Sequence, residues 1–448
     1  MGKVKLKQLL LDVYSDPPNN SVSIDYSVSK GTINKHVSVG RFASTSSVRL
    51  RELNGPPPGQ RELARLWNLG RLLGNVPTVN RSLERPTLKI VDFFCGCGGL
   101  SLGIKQAAEA VGLRPVFQLA MDVFEPGLSI YERNIRPLRI LKQNFEVLLD
   151  YEFRIQGGIH VTDTDSIQLS EDIGFLAGKV DVFIAGPPCE GNSNLNNKTR
   201  RSDSRNELYV LAVAAGIRLE ADVIIIENVP TVRNALQDVI KRSMNLLRDS
   251  GYVVDRNGFT LKASDFGTPQ DRRRHFLIAS KADRVVSKGD FASLTIEAPT
   301  VKEAIIDLMD VGGDTTFDQP SQISPENQNR VEYLDEHKLL DLPDEERPDC
   351  HRLKDHTYPA VYGRMDPNKF APTITTGFLS PGRGRFTHPF SARSLTPHEG
   401  ARLQGFPEDF DWLQESGKIG RMAYASMIGD AVPPQLGFAV GLAGISLL

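Results

Sequence analysis

Residues 88–112 read LKIVDFFCGCGGLSLGIKQAAEAVG. The opening LKIVDFF is a β-branched and aromatic run typical of a buried strand, and the closing LSLGIKQAAEAVG has helical periodicity. Between them lies a glycine-rich turn, and glycine is needed where a backbone bends sharply and approaches a ligand without a Cβ. The stretch therefore predicts a strand, a turn and a helix, the repeating unit of α/β proteins.

The same alternation continues downstream. Apolar runs at PVFQLAMDV, VDVFIAGPP, DVIIIENVP and HFLIAS each end in turn or polar residues, and the helical pattern QDVIKRSMNLLRDSG ends at Gly251. Strands alternating with helices indicate a doubly wound, mostly parallel sheet, in which ligands bind at the carboxyl ends of the strands. We predict a catalytic α/β domain over residues 87–280, completed by residues 391–448, where helical periodicity returns.

The flanking segments carry weaker patterns. Within residues 1–86, only RELARLWNLGRLLG, which follows GPPPG at 55–59, predicts a helix. We treat residues 1–86 as an N-terminal extension of unassigned role that packs on the catalytic domain or contacts a partner. Residues 281–390 are rich in proline, glycine and mixed charge, and they predict a smaller second domain of irregular or β character.

Composition bounds the function. The chain has 448 residues with no apolar run long enough to span a membrane, and its four cysteines are too few for a disulfide framework, which favours the reducing cytoplasm. The net charge of −2 does not itself indicate a nucleic-acid partner. Basic clusters at 198–205, 270–275 and 382–386 are nevertheless suited to phosphates, although each alone is typical of a solvated surface.

The glycine turn is a candidate nucleotide site. Gly96, Gly98 and Gly99 precede a helix whose free N–H groups attract anionic groups, and Asp122 ends the next strand, where a carboxylate binds ribose hydroxyls. This pattern fits a nicotinamide nucleotide, S-adenosylmethionine, or a tight turn without a ligand.

The sequence GPPCEGNSN (186–194) follows a predicted strand. Free cysteine is usually a small buried hydrophobe, but two prolines stiffen this turn and fix the direction of Cys189 at a strand end. A thiol placed there predicts a nucleophile. Glu227 ends the strand DVIIIENVP, where it either caps a turn or, kept protonated by burial, acts as a proton donor.

A third polar group follows an alternating pattern. In QDRRR (270–274), Gln270, Arg272 and Arg274 share one side if the segment is extended. Guanidinium forks at such positions suit a pyrimidine carbonyl and nearby phosphates.

Six motifs, taken in order, resemble those of the DNA (cytosine-5)-methyltransferase family. The resemblance implies the S-adenosylmethionine-dependent methyltransferase fold, with residues 281–390 as the target-recognition domain. It also implies methyl transfer to C5 of cytosine in double-stranded DNA, with a flipped-out base and a covalent adduct at C6. The expected setting is a bacterial restriction-modification or phage-defence system, with a monomeric enzyme and a cognate nuclease as partner. The motifs are DFFCGCGG (92–99), PPC (187–189), ENVP (227–230), QDRRR (270–274), RSLTPHEGARLQGFP (393–407) and GDAVPP (429–434).

The resemblance also implies residue roles. Cys189 would attack C6, Glu227 would assist at N3, Arg274 would contact the base O2, and Arg272 would lie close to the backbone or the catalytic loop. An acid near the end of the third strand would approach the adenine amino group, and Asp163 is favoured over Asp165. The implied S-adenosylmethionine-binding residues are Phe94, Gly96, Gly98, Gly99, Asp122, Asp163 and Pro188.

Three positions depart from the family pattern. Glu190 stands where glutamine is common, Asn192 where phenylalanine is common, and Asp430 where asparagine is common. The Glu190 carboxylate would repel nearby phosphates unless an arginine compensates its charge, and the loop at 198–205 carries three arginines. Cysteine pairs such as Cys95 and Cys97 provide too few ligands for a metal, so none is expected.

Three other functions fit part of the sequence. A tRNA cytosine-5 methyltransferase shares the fold, but a segment of roughly 110 residues before the last two motifs favours DNA. A catalytically silent DNA-binding protein is at odds with intact Cys189, Glu227 and Arg274. A nicotinamide dehydrogenase accounts for the glycine turn alone.

Overall fold

The computed structural model describes residues 22–29, 31–49, 58–79, 85–156, 159–188, 206–235, 238–309, 313–352 and 360–448. The strands are β1 (Val22–Ser29), β2 (Thr32–Val39), β3 (Phe42–Arg49), β4 (Thr78–Val79), β5 (Thr87–Phe93), β6 (Arg114–Asp122), β7 (Ile140–Lys142), β8 (Leu149–Gln156), β9 (Ile159–Leu169), β10 (Val182–Ala185), β11 (Val223–Asn228), β12 (Val253–Val254), β13 (Phe259–Lys262) and β14 (Arg273–Ser280). The helices are α1 (Gln60–Leu72), α2 (Gly99–Ala110), α3 (Glu125–Ile135), α4 (Glu171–Gly174), α5 (Glu207–Arg218), α6 (Val239–Asp249), α7 (Lys288–Ala292), α8 (Val301–Ile305), α9 (Pro325–Glu336), α10 (Asp349–Arg352), α11 (Pro397–Leu403), α12 (Arg421–Asp430) and α13 (Pro434–Ile445).

A central sheet organises the chain. Its strand order is β12-β14-β11-β10-β5-β6-β7, and β13 also pairs with β14. The five strands from β11 to β7 are parallel, whereas β14 runs antiparallel to β11, β12 and β13. Every residue of β10 and β11 is buried, as expected for strands covered on both faces. The predicted doubly wound, mostly parallel fold is confirmed.

Strand register brings the candidate residues to one edge. Ala185 of β10 pairs with Phe93 of β5 and Ile226 of β11. The chain therefore leaves all three strands at the same level, and Phe94 and Glu227 follow there. This is the carboxyl edge of the parallel strands, where α/β proteins bind their ligands.

The C-terminal helix α13 packs on α2, the helix that follows β5, so closely that their backbones are in contact. A Cβ placed on Gly103 of α2 would lie 2.1 Å from the Pro434 oxygen and 2.5 Å from the Phe438 nitrogen. A Cβ on Gly437 of α13 would likewise lie 2.6 Å from the Leu100 oxygen. Glycine is required at this crossing because two backbones occupy the space of a side chain.

The N-terminal segment is folded, which the sequence analysis did not anticipate beyond α1. Strands β1 to β4 form an antiparallel sheet in chain order. Val37, Val39 and Leu72 share one apolar core with α2 and α13, so this sheet packs on the catalytic domain. The Gln60 side chain accepts from the Tyr26 nitrogen at 2.8 Å and donates to the Tyr26 oxygen at 2.6 Å, which closes the open edge of β1.

Residues 281–390 contain short helices and irregular chain. In the part of this segment that the structure describes, pairing is limited to isolated bridges such as Gln270 with Ala371, so a β character is not observed. Ala371, Ile374 and Phe378 belong to the same apolar core as α2 and α13. This part of the segment is thus built onto the catalytic domain. No helix in the described ranges is long and apolar enough to cross a membrane.

We expect Gly103→Ala to destabilise the fold, because the added methyl has no space between α2 and α13. Overpacking of this kind costs on the order of 3 kcal/mol of unfolding free energy. Urea denaturation would measure it. Gly174→Ala in α4 is the matched control, since a Cβ there meets nothing within 4 Å. Equal stability of the two variants would contradict the close helix crossing.

Candidate active site

The glycine turn after β5 has the backbone of a ligand cradle. Phe94, Gly96 and Gly98 have positive φ values of 59°, 54° and 92°. A Cβ on Gly96 would meet nothing within 4 Å, so open space adjoins the backbone there. Helix α2 begins at Gly99 without a side-chain cap, which leaves its first N–H groups directed toward that space.

Asp122 links this turn to the end of β6. Its Oδ2 accepts from the Gly96 nitrogen at 2.8 Å and its Oδ1 accepts from the Phe124 nitrogen at 2.9 Å. Each carboxylate oxygen retains a second lone pair for a ligand hydroxyl. The half-buried Phe94 ring packs on Phe145 at a centroid distance of 4.7 Å. The turn therefore combines an aromatic surface with an acid, as a nucleoside requires.

A buried carboxyl group, that of Asp92, stabilises the glycine turn through hydrogen bonds. Asp92 accepts hydrogen bonds from the Tyr131 hydroxyl, at 2.9 Å, and from the Ser101 hydroxyl. Burial raises the pKa of the Asp92 carboxyl to about 7. The sequence analysis missed this residue, although an acidic residue inside the apolar run LKIVDFF was a signal for it.

Two cysteines of the turn are not nucleophiles. Cys95 and Cys97 are buried free thiols, and burial raises the pKa of both, that of Cys97 to about 12. A protonated thiol is inert at neutral pH. Among the residues described, no group of three potential ligands could hold a metal ion.

The turn that leads to Cys189 is described as far as Pro188. Cys189 itself, Glu190, Asn192 and the arginines of 198–205 lie outside the described residues. The Asn228 amide donates to the Pro187 oxygen at 3.1 Å, which joins this turn to the end of β11. Asn228 was not singled out from the sequence, although it belongs to ENVP.

Glu227 lies against the same turn. An ideal Cβ on Gly186, three residues before Cys189, would stand 3.5 Å from Glu227 Oε2. Glu227 Oε1 forms an ion pair with Arg274 Nε at 2.8 Å, and both side chains are about nine-tenths buried. Burial raises the pKa of the Glu227 carboxyl, and this effect exceeds the opposing influence of Arg274 and Arg272.

The alternation predicted for QDRRR is present. Gln270 and Arg272 are buried and Arg274 reaches Glu227, whereas Asp271 and Arg273 are exposed. The side chain of Arg272, for which the resemblance implied a place close to the backbone or the catalytic loop, is buried. Its guanidinium donates to the Ile374 oxygen at 2.8 Å and to the Gly429 oxygen at 2.7 Å. Arg272 therefore joins two distant chain segments.

The location argued for Asp163 was wrong. Asp163 lies on β9, in an antiparallel hairpin with β8 that packs on α5. The third strand of the parallel series is β7, which pairs with β6 and ends at Lys142. Gln143 and Asn144 follow it, so these residues, rather than Asp163, occupy the position where an adenine contact was expected.

Asp430 stands between the two halves of the site. Its Oδ2 accepts from the Ser426 hydroxyl at 3.2 Å. Its charge acts on the thiol of Cys97 and on the carboxyl of Glu227, which places it near both the glycine turn and the ion pair.

A doubly wound sheet that carries a nucleoside-type cradle and a buried acid–arginine pair at one edge defines an α/β enzyme of the methyltransferase class. A model of the family described as C-5 cytosine-specific DNA methylase matches residues 88–444. The type II methyltransferase M1.BsuMI of Bacillus subtilis strain 168 is 40% identical over 364 residues, covering 81% of this chain and 82% of that protein. The chain belongs to the C-5 cytosine-specific DNA methylases and is a DNA (cytosine-5)-methyltransferase.

Solved structures agree at the level of the fold. A protein encoded within an Escherichia coli prophage has a TM-score of 0.53 at 22% identity and covers 80% of this chain and 99% of its own. DNMT2 of Spodoptera frugiperda has a TM-score of 0.51 at 16% identity, with coverage of 80% and 99%. The family match begins at Leu88 in β5, so it leaves the N-terminal sheet and α1 outside.

We expect Arg272→Met to lower the unfolding free energy by about 3 kcal/mol, because it leaves two buried carbonyl oxygens without donors. Urea denaturation would measure the loss. Arg273→Met, one residue along and exposed, is the control and should leave stability unchanged. An Arg272→Met variant with the unfolding free energy of the wild type would contradict the role of Arg272 in joining these two chain segments.

Proposed function

We propose that the protein is the site-specific modification enzyme of a bacterial type II restriction-modification system, acting with a cognate restriction or defence nuclease. It transfers a methyl group from S-adenosylmethionine to C5 of cytosine in duplex DNA. The observation that carries the proposal is the buried Glu227–Arg274 pair, at 2.8 Å, beside the turn that leads to Cys189. The name of its relative of 40% identity, a type II methyltransferase, supports the biological setting.

The residues at the glycine turn fit S-adenosylmethionine. Open space adjoins Gly96, Asp122 presents a carboxylate to that space, and the uncapped start of α2 offers N–H groups to the carboxylate of the methionine portion. When bound, the cofactor supplies an electrophilic methyl group on its sulfonium. The residues that would hold it are Phe94, Gly96, Gly98, Gly99, Asp122 and Pro188.

Cytosine C5 is a weak nucleophile, and the protein must make it a better one. The Cys189 thiolate adds its electron pair to C6, and the C5–C6 π electrons become available at C5 to form the new bond to carbon. After methyl transfer, the C5 proton is lost to a base, and its bonding electrons expel the Cys189 thiolate. Because C6 is covered inside a base stack, the target base must first flip out of the duplex.

Glu227 and Arg274 complete this step from the other side of the ring. A protonated Glu227 donates its proton toward cytosine N3, so that N3 can hold the electron density displaced when the thiolate adds to C6. Its raised pKa, caused by burial, favours that protonated form. Arg274 fixes the base O2, and Arg272 acts as a positioning residue through Ile374 and Gly429.

Methyl transfer to unmethylated bacterial DNA, followed by sequencing of 5-methylcytosine, tests the function. We expect methylation at one defined sequence. Cys189→Ala should abolish transfer, because no other group can add to C6, while binding of S-adenosylmethionine measured by calorimetry stays within a few fold. Cys350→Ala, outside all six motifs, is the control.

Transfer to tRNA but not to DNA would overturn the proposed substrate. Loss of cofactor binding in Cys189→Ala would contradict the assignment of Cys189 as the nucleophile. Methylation without sequence preference would contradict a role in restriction-modification.

The pH profile tests Glu227. Its protonated form is the active one, so the rate should fall as pH rises through its raised pKa in the substrate complex. Glu227→Gln should lower the rate roughly 100-fold and remove that alkaline decline, because an amide does not titrate. The acid limb, from ionisation of Cys189, should remain. An unchanged alkaline limb in Glu227→Gln would exclude Glu227 as the proton donor.

A further inference from the structure

A cavity of about 540 Å³ lies between the N-terminal sheet and the catalytic domain. Its walls come from β2, from α1 and from the helices α2 and α13. None of its lining residues belongs to the glycine turn or to the Glu227–Arg274 pair. The cavity is therefore separate from the site of methyl transfer.

One wall holds a buried ammonium group. Lys35 of β2 is 6% exposed, and its side-chain ammonium makes no hydrogen bond or ion pair with the described residues. Its Nζ lies instead over aromatic rings, 4.1 Å from the centroid of Phe438 and 5.9 Å from that of Trp67. Cation–π contacts offset only part of the cost of burying a charge. Burial accordingly lowers the pKa of Lys35 to about 7.

The side chains that line the cavity include more basic than acidic groups. The Nε of Arg85 is buried without a hydrogen-bond partner, whereas Arg71 is already paired with Asp409 at 3.1 Å. Lys105 is a further cation of the lining, and Glu109 is its other acid. The cavity thus holds four basic and two acidic side chains, and its lining also includes the aromatic residues Trp67 and Phe438.

We propose that this cavity binds a small organic anion of about mononucleotide size, whose carboxylate or phosphate pairs with Lys35 and whose flat body packs on Trp67 and Phe438. The volume lies in the range of small-molecule sites, roughly 300–1,000 Å³. An anion would give the Lys35 ammonium a partner that the described residues do not supply. Lys35 and Trp67 precede the residues matched by the family, whereas α2 and Phe438 lie within them, so the site is formed jointly by the N-terminal segment and the catalytic domain.

The full-length protein tests this with 1-anilinonaphthalene-8-sulfonate, an anion with a flat aromatic body whose fluorescence rises in apolar sites. We expect saturable binding of one molecule per chain, with energy transfer from tryptophan. Lys35→Met should weaken binding at least about tenfold, as expected for loss of a charge-assisted contact. Lys241→Met, an exposed lysine on α6, is the matched control and should bind as the wild type does.

Competition identifies the source of the anion. Displacement by adenosine monophosphate but not by benzoate or inorganic phosphate would assign the site to a nucleotide, and displacement by benzoate alone to an aromatic carboxylate. Arg85→Met is a second variant, also expected to weaken binding, that keeps the test decisive if Lys35→Met does not fold. Equal binding by Lys35→Met and wild type, or no saturable binding, would overturn the proposal. DNA methylation is measured separately, and Lys35→Met should leave it unchanged, so failure of one proposal is distinguishable from failure of the other.

Discussion

Backbone contact between α2 and α13 is the constraint on which the rest of the structure depends. The chain leaves the central sheet after β14 and comes back only with its last two helices. The return places Val432 directly over the first turn of α2, where a Cβ on Gly99 would lie 2.3 Å from the Val432 oxygen. Glycines in α2 and α13 therefore do two things at once. They allow the two helices to touch, and they bring the motif GDAVPP (429–434) to the glycine turn.

The residues of the motif QDRRR have two kinds of role. Gln270 and Arg272 make structural contacts, whereas Arg274 lies in the candidate active site. Gln270 accepts from the Ile374 nitrogen at 2.8 Å and donates to the Leu403 oxygen at 3.2 Å, and Arg272 reaches the same segment and Gly429. Arg274, two residues further, is the one that faces Glu227. Strand geometry explains the division, because alternate side chains share a face and lie roughly 6–7 Å apart along the strand. The inner residues therefore tie residues 371–374 and the C-terminal segment to the sheet edge that carries the Glu227–Arg274 pair.

Local patterns predicted the site better than they predicted its surroundings. The turn after β5, the acid at the end of β11 and the alternation of 270–274 depend on neighbours in sequence, so they could be inferred from spacing and residue type. Asp163 could not be placed, because the hairpin β8–β9 interrupts the alternation and imitates the third strand of the parallel sheet. The N-terminal sheet was missed because its strands, such as TINKHVSV, mix serine, asparagine and lysine with few large apolar residues. Its core forms against α1 and α2, a contact distant in sequence.

The Glu227–Arg274 pair couples substrate binding to protonation. In the free protein two opposed influences act on the carboxyl, since burial favours the neutral form and Arg274 favours the charged form. In the proposed complex, a cytosine that draws Arg274 to its O2 would weaken the influence of Arg274 on the carboxyl, so burial would raise the pKa of Glu227 further. By linkage, binding of the base and protonation of Glu227 would then favour each other.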